Sequence, residues 1–298
     1  MKSNTYFTLE AQLNKLARHN RQGSFRTKER YYTAMKRFCR FLASNYNLQK
    51  LSNISGKHLV AYILWMQEKD LSASTIKTDL AAIRFFHDKI SNPKYKLLTN
   101  AELGLELEQR RFGDQDRTWS ITEFNRMLGK ALDREDYILA LYLARYAGFR
   151  IHECMRIDTA IARQAIREHS ITIKGKGGKI RTVPINQHII FALKKCLEST
   201  PTGSKLLVPD DVPTDKAINQ LQQFILRNRG AVQDPDSERP LTFHGLRHTY
   251  AVEKYRQLIA DGSPELDAHL TVSKLLGHER ADITNIYLAS VTRDIGEL

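Results

Sequence analysis

SITIKGKGGKIRTVPI, residues 170–185, is where the helical period of this chain breaks. Two β-branched runs, Ile171-Thr172-Ile173 and Ile180-Arg181-Thr182-Val183, flank a Gly-Lys-Gly-Gly turn. Alternating runs around a glycine turn predict a β-hairpin. Before and after it, apolar residues recur at helical spacing. Helices are expected at 121–131, 135–147 and 151–168 upstream, and at 187–198, 215–228, 244–260, 265–276 and 281–289 downstream. The fold class is therefore mainly α, with one small β element.

Further upstream the pattern is helix after helix. Segment 27–45 carries Tyr31, Met35, Phe38, Phe41 and Leu42 on one stripe, with Lys28, Lys36, Arg37 and Arg40 largely off it. Thr27 is its expected N-cap, and Arg30 in place of Glu or Gln leaves a simple cap without a capping box. Segments 55–69 and 72–90 repeat the pattern with Leu59, Tyr62, Ile63 and Met66, then Ile76, Leu80, Ile83 and Phe86. With a short helix near 7–20 they form a four-helix unit, ended by Asn92-Pro93. Residues 92–117, with Pro93, Gly104, Gly113 and a charged run, read as a connector. Two domains are expected, 1–112 and 113–298.

Charge separates the two. The chain of 298 residues has 46 Lys/Arg against 33 Asp/Glu, a net of +13. Residues 1–112 hold 20 basic against 9 acidic residues and residues 113–298 hold 26 against 24. A basic domain beside a nearly neutral one suits a polyanion clamp joined to a body with another task. The 42% apolar content excludes disorder over the whole length. No run approaches the ~20 apolar residues of a bilayer span, and the first twenty residues lack a signal-peptide core, so no membrane association and a cytoplasmic, nucleoid-associated location are expected. Cys39, Cys154 and Cys196 are odd in number and lack zinc-site spacing.

Four segments carry candidate chemistry. In Ala147-Gly148-Phe149-Arg150-Ile151-His152-Glu153, Arg150 sits at a helix junction where its planar fork suits a phosphate, and Glu153 lies three residues on. A surface ion pair is the plain alternative. The hairpin tip gathers Lys174, Lys176, Lys179 and Arg181 around glycines. It reads equally as a solvated turn, and it lacks the P-loop pattern for nucleotide binding. In Thr242-Phe243-His244-Gly245-Leu246-Arg247-His248, His244 and Arg247 share a helix face as proton carrier and phosphate clamp. His244 and His248 are also spaced as metal ligands, but no Glu follows His244 and no third ligand is evident, so no metal is expected. Finally, Leu276-Gly277-His278 is followed after nine residues by Tyr287. Each alone reads as a helix end and a packed aromatic.

In this order the segments resemble the tyrosine recombinase (phage integrase) family. AGFRIHE is similar to its first arginine box, GKGGKIRTVPI to its lysine hairpin, HGLRHTYA to its second box, and LLGH with Tyr287 to its third. The resemblance spans about 113–290, and the helical domain before it resembles the family's SAM-like core-site-binding domain. Phe149 replaces the usual Leu. TAIARQAIREH reads as helix where the family has a strand, so a reduced sheet is expected.

The resemblance implies a site-specific recombinase that needs no metal, ATP or other cofactor. Tyr287 would be the nucleophile and would form a 3′-phosphotyrosyl bond. Arg150 and Arg247 would grip the non-bridging oxygens, and Lys176 would protonate the leaving 5′-oxygen. His244 would assist proton transfer at Tyr287, His278 would donate to the phosphate, and Glu153 would orient Arg150 or His244. Lys28, Arg30, Ser74, Thr75, Lys77 and Arg84 are the expected DNA contacts of the first domain. Expected partners are double-stranded recombination sites, further copies of the chain as a homotetramer on DNA, and accessory or directionality factors. Integration or excision of a mobile element is the expected use. Xer-like chromosome-dimer resolution, a type IB topoisomerase and a non-catalytic DNA-binding protein are the alternatives.

Overall fold

The computed structural model describes residues 4–18, 25–103, 116–175, 178, 180–237 and 239–277. Lys176, His278, Tyr287 and the helix expected at 281–289 lie outside these described residues, as does the middle of the expected connector. The chain divides into two compact units, Met1–Arg111 and Phe112–Leu298.

The first unit contains α1 (Asn4–Arg18), α2 (Phe25–Asn45), α3 (Gly56–Glu68) and α4 (Ala73–His87), with a 3₁₀ turn at Leu51–Asn53. Each helix buries the stripe its sequence presents. Leu9, Leu13, Met35, Phe38, Leu42, Leu59, Tyr62, Ile63, Met66, Leu80 and Ile83 form one solvent-free core. Ser72 caps α4 by accepting from Thr75 N at 3.3 Å. Two expectations shift. α2 starts at Phe25, so Thr27 stands inside its first turn instead of capping it. α4 stops at His87, before Asn92-Pro93, where the chain tightens into i→i−3 bonds, Lys89 N donating to Phe86 O and Ile90 N to His87 O. A buried carboxylate, Asp79, is satisfied by the Tyr62 hydroxyl at 2.9 Å and by Arg37 at 3.4 Å.

The second unit runs α5 (Ile121–Lys130), α6 (Glu135–Ala147), α7 (Ile151–Cys154), α8 (Thr159–Glu168), β1 (Ser170–Lys174), β2 (Ile180–Pro184), α9 (Gln187–Ser199), α10 (Thr214–Val232), α11 (Phe243–Ala260) and α12 (Glu265–Leu276). Among the described residues the sheet is a single antiparallel hairpin, with Ile171 opposite Val183 and Lys174 opposite Ile180. α6 is the central helix. Leu139, Ala140, Leu141, Leu143, Ala144 and Ala147 are all fully buried, and it packs on α9 and α11.

The single helix expected at 151–168 is instead two, α7 and α8. Asp158 is a strong N-cap that accepts from Ile161 N at 2.8 Å. The main chain before it bonds sideways, with Leu206 N donating to Ile157 O and Thr159 N to Ser204 O. Those partners replace the helical ones. The TAIARQAIREH segment is helical, as α8.

α6 ends at Gly148, with φ 64°. Any side chain there would meet the Tyr250 ring at 2.4 Å. The turn lets Phe149 plug the core while Arg150 leaves it. Gly148→Ala should therefore destabilise the protein by about 2–4 kcal/mol, from left-handed strain and overpacking together. Urea unfolding would read this, and a loss below about 1 kcal/mol would contradict the packing described.

Candidate active site and DNA-binding face

The second unit brings three separated sequence segments to one junction. The turn from α6 into α7 delivers Gly148–Glu153, the first turn of α11 delivers His244 and Arg247, and the end of α12 delivers Leu276 and Gly277. Arg247 ties them together. Its side chain is fully buried. Nη1 donates to Gly148 O, and Nη2 donates to Leu276 O at 2.6 Å. A buried guanidinium is costly unless its donors find acceptors, and two helix-terminal carbonyls meet that need here. Gly277 caps α12 in the left-handed conformation, φ 66°, which puts the next residue, His278, just beyond the junction in sequence.

Arg150 stands at the start of α7, and its side chain keeps 23% exposure. Glu153, fully buried, reaches back to Arg150 N at 2.8 Å and accepts from Arg150 Nη1 at 3.1 Å. The i,i+3 pairing expected from sequence is present. A second arginine was not anticipated in that role. Arg181 of β2 grips both Glu153 oxygens, at 2.8 and 2.7 Å. Burial pushes the Glu153 carboxyl up, but the Arg181 and Arg150 contacts outweigh it and hold its pKa at about 2. The signal was there in the strand alternation. Arg181 shares a face with the buried Val183, opposite the exposed Ile180 and Thr182.

His244 opens the α11 face toward solvent, behind Thr242, which caps the helix by accepting from Gly245 N at 3.1 Å. Packing around the ring and the charges of Arg247, Arg150 and Arg117 push its pKa down to about 4. His248, edge-on to it at 5.1 Å between centroids, is buried and depressed to about 3 by burial, His244 and Arg117. Both imidazoles are neutral at pH 7. Among the described residues, no group of three or more His, Cys, Asp or Glu could hold a metal ion.

The segment at 116–119 braces this face. Trp119 Nε1 donates to Thr242 O at 3.0 Å, and Trp119 N to Thr249 Oγ1 at 2.8 Å. A Cβ on Gly245 would meet Arg117 O at 2.5 Å, so this glycine admits the passing main chain. The hairpin is anchored at the end of β1 next to its turn, where Arg156 Nη1 donates to Lys174 O at 2.5 Å. Lys176, at its tip, lies outside the described residues.

On the first unit, a groove between α2 and α4 is lined by Arg30, Tyr31, Ser74, Lys77 and Thr78. It brings together Arg30, Ser74 and Lys77 from the expected DNA contacts, with Arg30 Nη2 donating to Thr78 Oγ1 at 3.0 Å. Thr75 lies at the capped start of α4 beside Ser72. Lys28 is half-buried on α2 and does not line this groove. Arg84 is engaged elsewhere, donating to Leu98 O at 2.8 Å and Asn100 Oδ1 at 2.7 Å. It braces the end of its own unit.

Residues 120–293 match the Phage integrase family, and residues 7–90 match the family described as Phage integrase, N-terminal. The chain belongs to the phage integrase family. It is a tyrosine site-specific recombinase, a DNA-binding enzyme of DNA recombination. Among its relatives, the tyrosine recombinase XerC of Oceanobacillus iheyensis is 27% identical over 285 residues, covering 90% of this chain and 86% of that protein. The XerC of Natranaerobius thermophilus is 24% identical, covering 88% and 87%. In fold, the chain is similar to a lambda integrase dimer bound to a COC′ core site, with TM-score 0.64 at 17% identity over 93% of this chain and 96% of that one. No helix among the described residues is long and apolar enough to cross a membrane.

The histidines make the recombinase acid-sensitive. Unfolded imidazoles take up protons near 6.5, whereas the folded ones do so only near 4 and 3. Their contribution to stability is complete above pH 6.5 and is lost as pH falls toward 3. Thermal melts should show Tm dropping from pH 7 to 4, with a shallower drop in His248→Gln. An identical slope in that variant would contradict the buried neutral His248.

Proposed function

We propose that the chain cuts and rejoins DNA at specific sites through a 3′-phosphotyrosyl intermediate, with Tyr287 as the nucleophile. The observation that carries this reading is the junction of Arg150, Arg247 and the neutral His244, with Gly277 immediately before His278. Attack on a phosphodiester gathers negative charge on the non-bridging oxygens, and prepositioned guanidinium donors stabilise it without reorganising. Arg150 offers the accessible fork. Arg247 supplies fixed positive charge from the buried side. His244, neutral at pH 7, is suited to take or pass the Tyr287 proton, and a bound phosphate facing the arginines would raise its pKa toward its ordinary range. Lys176 is the proposed acid for the leaving 5′-oxygen, and His278 a further donor to the phosphate. The covalent bond conserves the energy of the cut, so rejoining requires neither metal nor ATP.

Residues 1–112 are proposed as the core-site clamp and 113–298 as the catalytic domain. Arg30, Ser74 and Lys77 face DNA at the α2–α4 groove, with Thr75 at the start of α4 and Lys28 on α2 as further proposed contacts. Arg84 holds the domain's own end. Contacts to phosphate give affinity that falls with salt, and base contacts give the site. Recombination of two duplexes needs four cuts, so a homotetramer on paired sites, with accessory or directionality factors, is part of this reading.

For biological use we favour integration or excision of a mobile element, in line with a fold similarity to the Tn1549 transposon integrase, TM-score 0.59 at 15% identity. A second use, Xer-like resolution of chromosome dimers, is favoured by relatives named XerC and XerD. Sequencing DNA covalently trapped on the protein in cells separates the two. Element ends support the first, and a single chromosomal locus supports the second.

The chemistry is tested with nicked duplexes carrying the trapped site, incubated in EDTA and resolved in SDS. A protein–DNA adduct is expected from the wild type and none from Tyr287→Phe. An adduct that survives in Tyr287→Phe, or that forms only with added metal, overturns the mechanism.

A further inference from the structure

Glu153 has two arginine partners, and it treats them unequally. Arg181 meets it end-on through both terminal nitrogens, at 2.8 and 2.7 Å. The Arg150 guanidinium meets it through one nitrogen at 3.1 Å, while the Arg150 main-chain N–H takes the other oxygen at 2.8 Å. A carboxylate has about four acceptor sites, and these four bonds occupy them. One anion between two cations leaves one positive charge in surplus. Arg181 is 9% exposed and Arg150 is 23% exposed. The surplus therefore sits on the arginine that solvent and substrate can reach.

Arg181 is built into its place. Its guanidinium lies 5.5 Å from the Phe149 ring centre. Its stem covers Gly277, where a Cβ would come within 3.2 Å of Cδ. One side chain from the lysine-bearing hairpin thus touches both the first arginine segment and the end of α12. Without it, a buried carboxylate would face Arg150 alone. The strongest geometry open to that pair is the two-bond fork, which would draw Arg150 inward and neutralise it.

We infer that Arg181 is a positioning residue that occupies Glu153, so that Arg150 keeps its charge and donors for the scissile phosphate. This rests on the reading above that Arg150 binds that phosphate. A shift of about 1 Å in such a group slows chemistry roughly 100-fold, so the effect falls on cleavage more than on site affinity.

The test compares single-turnover cleavage of a nicked site with affinity for that site, in Arg181→Met, Arg181→Lys, Glu153→Gln and the Arg181→Met/Glu153→Gln double variant. Arg181→Met should cleave about 10- to 100-fold more slowly, with affinity within about threefold of wild type. Arg181→Lys, which keeps charge without the fork, should fall between, and it carries the test if Arg181→Met does not fold. The double variant should cleave about tenfold faster than Arg181→Met, because no anion remains to draw Arg150 in. A merely structural role would make the double variant worse. Cleavage at the wild-type rate in both Arg181 variants, or a double variant as slow as Arg181→Met, overturns the inference. Carboxyl titration of Glu153 in the free protein is independent of activity. Its midpoint should rise from about 2 in the Arg181→Met protein, and an unmoved midpoint also overturns the inference. Loss of the wild-type, Tyr287-dependent adduct would count against the proposed chemistry, whereas the titration judges Arg181 by itself.

Discussion

A buried guanidinium bonded to two main-chain carbonyls holds the second unit in register. Arg247 leaves α11 and donates to the carbonyl that ends α6 and to the carbonyl that ends α12. Helix C-terminal carbonyls carry partial negative charge and lack helical partners, so a cation placed there satisfies both sides. Two left-handed glycines, Gly148 and Gly277, follow directly on those helix ends and turn the chain away from the charge. Remove the guanidinium, and two helix ends lose their common donor, while the segment bearing Arg150 and the end of α12 lose their shared reference point.

Around that anchor the charges are graded. Arg247 is sealed, Arg181 is nearly so, and Arg150 is partly open, with the single carboxylate of Glu153 between the last two. Burial first, and then the nearby positive charges of Arg247 and Arg117, keep His244 and His248 neutral at pH 7. A site of this kind awaits an anion. The chain's membership in the phage integrase family, matched over both halves of the chain, supports the proposal that this anion is a DNA phosphate. Within the first unit, Arg30, Ser74 and Lys77 line one groove.

Much of this was legible in the sequence because it rests on local rules. Helical stripes such as Met35, Phe38 and Leu42, and the alternation around residues 175–178, depend on period alone. The Arg150–Glu153 and His244–Arg247 spacings were readable for the same reason, whereas the two arginine segments were read as a site only through the family resemblance. What was missed depends on partners distant in sequence. The break between α7 and α8 follows from bonds to residues 204–206, about 45 positions away, which no window around 158 contains. Arg84 looked like a DNA contact because it is basic and helical, yet its acceptors lie in the stretch after Pro93. Arg181 was counted among the charges of the hairpin tip, although its strand phase already pointed it inward.

In the proposed mechanism the Arg247 junction builds one phosphate site and supplies its transition-state charge. The most direct measurement is single-turnover cleavage by Arg247→Lys, read beside its affinity for the same DNA. Lysine keeps the charge but cannot bridge the Gly148 and Leu276 carbonyls with a planar fork. The account predicts site affinity within a few-fold of wild type and cleavage slowed by about 10²–10³. Cleavage near the wild-type rate at unchanged affinity would contradict it.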